Sequence, residues 1–96
     1  MATGNITANE PEGWQVVSGE SVHIAAHGDF GSGSIAVEQR INDNPYPVLD
    51  EGVAIVFTEA TDFRLNTHAG DLIRLNMTGS TSADVDFNIA GASINR

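Results

Sequence analysis

From Ser21 to Gly91 large apolar residues alternate with small or polar ones at a period of two, and this rhythm limits the chain to strands with one covered face. Val22, Ile24 and Ala26 interleave with His23, Ala25 and His27, and Ile35 and Val37 with Ser34, Ala36 and Glu38. Ile73, Leu75 and Met77 interleave with Arg74, Asn76 and Thr78, and Val85, Phe87 and Ile89 with Asp86, Asn88 and Ala90. Successive side chains of a strand point to opposite faces, so each stretch places one set toward a core and the other toward water. No stretch carries the spacing of an amphipathic helix, and no segment repeats.

Turn residues divide the pattern. Ser18-Gly19-Glu20, Asp29 to Gly33, Asn42-Asp43-Asn44-Pro45, Asp50-Glu51-Gly52 and His68-Ala69-Gly70-Asp71 are turn signals. The fold class expected is all-β: a single β-sandwich of about seven or eight mostly antiparallel strands. Residues 1–13 read as a flexible N-terminal arm, because Ile6 is their only larger apolar residue besides Met1, and residues 14–96 as the sandwich domain. Tyr46 to Leu49 reads as a short edge strand between Pro45, Pro47 and the next turn, and Val53 to Phe57 as a fully covered one. Pairing neighbouring strands as hairpins gives explicit registers. A turn centred on Thr81 sets Leu75 opposite Phe87, and one centred on Ala69 sets Arg64 opposite Arg74. His23 would then lie opposite Glu38.

The 96 residues fit one domain. Thirteen acidic residues face four arginines and no lysine, for a formal net charge of −9. Such a surface repels phosphate backbones and anionic lipids, which argues against nucleic-acid and membrane partners. The acidity serves solubility by self-repulsion, or matches a basic partner. No run reaches the ~20 apolar residues of a membrane span. Met1 to Glu12 lacks the basic and apolar regions of a signal peptide, so synthesis and folding in a cytoplasm are expected. Without cysteine there is no disulfide and no thiolate ligand or nucleophile.

From Gly28 onward the chain resembles a group of small virion proteins of tailed bacteriophages. The residues concerned are Gly28-Asp29-Phe30-Gly31-Ser32-Gly33-Ser34-Ile35-Ala36-Val37-Glu38-Gln39, then Phe63-Arg64-Leu65, Ala69 to Leu75 and Thr78-Gly79, then Ser82 to Ile89. The resemblance spans about two thirds of the chain. It departs at Ile41 to Val48, where the family carries a glycine-rich stretch ending in an aromatic, and at Asn66, often proline there. What the resemblance implies is a β-sandwich that decorates the exterior of a capsid, made in the host cytoplasm. Its partner would be the major capsid protein or another virion protein. A homo-oligomer is compatible with this, a trimer included. The alternative is a carbohydrate-binding module of a tail or fibre, which needs exposed aromatics along one face.

Catalytic and metal chemistry find little support. His23 and His27 share a face of one strand, but four residues span about 13 Å, too far for two ligands that each need about 2 Å to one zinc ion. His68 stands alone in a turn. Asp43, Asp50 and Glu51 supply carboxylates of the kind calcium takes, without the EF-hand spacing. There is no nucleophile elbow, Gly31 and Gly33 precede no helix, and short turns imply no cleft for a carboxylate pair. No enzyme and no cofactor is expected. The interface candidates are Ile6, Trp14, Phe30, Arg64 and Arg74: aromatic or apolar anchors on the arm and a glycine loop, and two cations on an acidic chain.

Overall fold

Asn42 and Asp43 take φ values of 52° and 65°. A two-residue type I′ hairpin requires this left-handed pair, and short polar side chains tolerate it. The computed structural model describes residues 2–94, and in it this turn is the centre of the strand pairing. In chain order the strands are β1 (Ala2–Ile6), β2 (Gln15–Val17), β3 (Ser21–Asp29), β4 (Ser34–Ile41), β5 (Asn44–Pro47), β6 (Leu49–Asp50), β7 (Val53–Ala54), β8 (Val56–Phe57), β9 (Thr61–Asn66), β10 (Leu72–Thr78), β11 (Asp84–Ala90) and β12 (Ala92–Ile94). Among the described residues there is no helix.

Pairing runs outward from the turn along both arms of the chain. Ile41 pairs with Asn44, Ser21 with Asn66, Val16 with Leu72 and Ala2 with Ile89. The chain is one long antiparallel ribbon, rolled so that β11 also lies against β3 and β10 against β4. The result is two facing sheets, β1-β11-β3-β9 and β12-β2-β10-β4-β5, with β8 beside the start of β4 and β6–β7 a separate small hairpin. Leaving aside β12 and the short strands β6 to β8, this is the strand order of a jelly roll.

The odd–even rhythm holds throughout. Val22, Ile24, Ala26, Ile35, Val37, Ile73, Leu75, Met77, Val85, Phe87 and Ile89 are buried between the sheets. The all-β sandwich is therefore the observed architecture, with twelve strands among the described residues in place of seven or eight. The additional ones are β1 and pairings of two or three residues.

Three sequence expectations are corrected. Neighbouring long strands do not form hairpins: β3 and β4, β9 and β10, and β10 and β11 lie in opposite sheets. Leu75 faces Val37, Phe87 faces Ala26, Arg64 faces His23 and Arg74 faces Glu38. Parity cannot see this difference, because the inner faces of both sheets demand the same alternation. The expected arm is β1, an edge strand on β11, and Ile6 is 2% exposed within the core. Backbone pairing and burial of that one side chain offset the ordering entropy that polarity alone would leave uncompensated. Asn9 then ties the segment down, with its Oδ1 accepting from Ser80 N–H at 2.8 Å and its Nδ2 donating to the Ser80 carbonyl at 2.9 Å. Glu12 N–H donates to the Leu75 carbonyl. Finally, Val53 to Phe57 is not covered: Val53 and Val56 face solvent.

Candidate docking site

Residues 41–56 carry two linked turns, one joining β4 to β5 at the edge of the second sheet and one joining β6 to β7. Glu51 and Gly52, with φ of 53° and 81°, make a second left-handed turn, between β6 and β7. Three backbone bonds fix the base of this excursion. Val48 N–H donates to Val37 O at 2.9 Å, Ile55 N–H to Val48 O at 3.0 Å, and Val37 N–H to Ile55 O at 3.0 Å. Ile41 keeps the inward parity of Ile35 and Val37, and Tyr46 pairs with Gln39 on the same face. Both are nevertheless exposed. Among the described residues, Ile41, Tyr46, Leu49, Val53 and Val56 are the exposed large apolar ones, from 48% at Ile41 and Tyr46 to 68% at Val53.

Beside this tip, β6 and β8 border β9 across a cleft of about 470 Å³. Leu49, Ile55, Val56, Phe57, Phe63 and Leu65 supply its apolar lining, and Asp50, Thr61, Arg64 and Asn66 its polar part. The lining is continuous with the core through edge-to-face rings, Phe30 to Phe57 at 6.0 Å and Phe57 to Phe63 at 6.1 Å between centroids. The expectation that short turns leave no cleft fails because the gap lies between sheet edges, where no turn closes it.

The structure separates the sequence candidates. Ile6 and Phe30 are core residues, unavailable to a partner. Trp14 and Arg74 come together: the guanidinium carbon lies 4.3 Å from the centroid of the half-buried indole. Arg74 Nε donates to Glu38 Oε1 at 2.7 Å, so Glu38 neutralises it. Arg64 alone stays exposed, on β9, with no carboxylate in ion-pair range among the described residues.

His23 pairs with Asp62, not Glu38. His27 is opposite Asp86, and His68 sits in its turn with its backbone N–H donating to Asp71 Oδ2. Asp43 pairs with Arg40 at 2.6 Å, while Asp50 and Glu51 stand apart on the β6–β7 hairpin. No three potential metal ligands converge among the described residues. A second hollow, of about 190 Å³, lies at the other end between Thr3, Gly4, Glu12, Trp14, Gln15 and Phe87. There burial, with Glu10 nearby, pushes the Glu12 carboxyl above the usual glutamate range.

Sequence reasoning missed the tip. Its signal was present in Tyr46 to Leu49 and Val53 to Phe57, which lack clean alternation and flank an acidic turn. A run without alternation reads equally as a strand covered on both faces or as a bare one. The chain matches no family model, no curated protein and no solved structure.

Proposed function

We propose that this protein is a non-enzymatic virion subunit, a capsid decoration protein that docks through the tip formed by residues 41–56. The observation that carries this reading is the set of exposed apolar side chains at Ile41, Tyr46, Leu49, Val53 and Val56. Large apolar side chains exposed within one short stretch of chain are the kind of feature that marks an interaction site, and here they occur on a chain of net charge −9 that otherwise favours solvent. Jelly rolls serve in viral capsid and lectin domains alike, so the fold is compatible with this role without selecting it. The sequence resemblance to phage virion proteins supplies the choice.

The mechanism is multivalent. Each copy buries a modest apolar contact on the capsid surface, and many copies together raise the cost of separating neighbouring capsid subunits. Co-sedimentation with empty capsids tests it: the native protein pellets with them, and the Leu49→Asp/Val53→Asp variant stays in the supernatant while keeping its strand spectrum. Equal pelleting of both removes the tip from the account. The glycan-binding alternative rests on Tyr46, the exposed aromatic of the tip. Sugar binding lost on Tyr46→Ala would favour it.

A further inference from the structure

Strand β9 ends the first sheet with an open edge. Open edges recruit other strands unless prolines, charged side chains, bulges or covering loops blunt them. The edge strand β5 carries Pro45 and Pro47. β9 is six residues long, contains no proline, and pairs one-for-one with β3 from Ser21–Asn66 to Ala26–Thr61 without a bulge, and its two charges, Asp62 and Arg64, are of opposite sign. The cleft of about 470 Å³ leaves space beside it, and Phe63 and Leu65 are only half-buried there.

The side chains of β9 are self-complementary. Asp62 and Arg64 lie two residues apart on its exposed face, with Phe63 between them on the inner face. Two such strands related by a two-fold axis at Phe63 put Asp62 opposite Arg64 twice, Phe63 opposite Phe63, and Thr61 opposite Leu65. Arg64 has no carboxylate in ion-pair range among the described residues. His23 contacts Asp62 through Oδ1, which leaves Oδ2 for a guanidinium. We infer that the protein forms a two-fold dimer by antiparallel pairing of β9 with β9 of a second copy, in the register that joins Asp62 to Arg64.

Two bodies of charge −9 repel, but over a Debye length of about 8 Å at physiological salt most of that repulsion is screened. Directly opposed cross-strand charges are within that range and favour this register, while a shift by two residues in either direction loses both pairs. The dimer continues the first sheet from one copy into the next and covers the half-buried Phe63 and Leu65. It does not depend on the capsid role proposed above.

Sedimentation velocity across the micromolar to millimolar range, together with disulfide trapping in a chain that has no native cysteine, tests this. The native protein should dimerise with rising concentration. Arg64→Asp should weaken the dimer by about tenfold or more, and Asp62→Arg combined with Arg64→Asp should restore it. On mixing equal amounts of Asp62→Cys and Arg64→Cys under mild oxidation, the mixed disulfide should clearly exceed the share that random pairing gives it, since only the mixed pair sits directly opposite. A native protein that stays monomeric throughout, or trapping without preference for the mixed pair, would overturn the proposal.

Discussion

Glu38 and Arg74 are directly opposed on adjacent strands β4 and β10, joined at 2.7 Å with side chains only 18% and 16% exposed. The Trp14 ring lies against the guanidinium, and Asn76 reaches the second carboxylate oxygen at 3.4 Å. The aromatic cover lowers the local dielectric, so this pair is worth more than a solvated surface ion pair. Glu38→Ala leaves the guanidinium half-covered without its acceptor. We expect a loss of about 1.5–3 kcal/mol in urea unfolding, with a shift in the emission of Trp14, the sole tryptophan. An unchanged midpoint would show that Arg74 is satisfied by water alone.

Ile6 separates a strand from an arm. As a core residue on β1, it should cost about 2–5 kcal/mol when replaced by alanine. Leu49→Ala on the exposed tip should stay within about 0.5 kcal/mol. Equal, small effects for both would return residues 1–13 to the status of a loose arm.

The contrast between these two positions shows how much the sequence disclosed. Alternation identified the inward set on β3, β4, β10 and β11 residue by residue, because a half-buried strand leaves no other solution. It did not identify partners. Leu75 satisfies its parity equally well opposite Phe87 or opposite Val37, and only the three-dimensional roll decides. Two of the interface candidates, Arg74 and Phe30, find partners that parity could not show. The partner of Arg74 is Glu38, on a strand far away in sequence, and Phe30, which from its glycine loop could plug the sandwich end or protrude, packs edge-on against Phe57.

Gly28 ends the regular part of β3 at φ +136°, and an added Cβ would clash with the Asp84 carbonyl oxygen on the adjacent β11. Both strain and a backbone clash oppose any side chain there. Gly28→Ala should destabilise by at least about 1 kcal/mol. Gly19→Ala, where a Cβ meets nothing within 4 Å, should change the thermal midpoint little. A neutral Gly28→Ala would mean that β11 can shift away.

Glu12 carries the one pH dependence that follows from the geometry. Burial first, then the charge of Glu10, raise its folded pKa above the ordinary value of 4.5. A raised carboxyl binds its proton more tightly in the folded state than in the unfolded one, so it lowers stability as pH rises from the unfolded pKa through the folded one. Glu12→Gln should therefore melt higher than the native protein at neutral pH, and the two curves should converge below about pH 4. A variant that melts lower at neutral pH would show that the ionised carboxylate has a favourable partner.

The central claim, that residues 41–56 are the face this protein presents to a capsid, is tested most directly by hydrogen–deuterium exchange footprinting of the capsid-bound protein. The account predicts new protection over the β4–β5 turn and the β6–β7 hairpin, with the outer face of β3 and β11 unchanged. Protection confined to that outer face, with 41–56 exchanging as in the free protein, would contradict it.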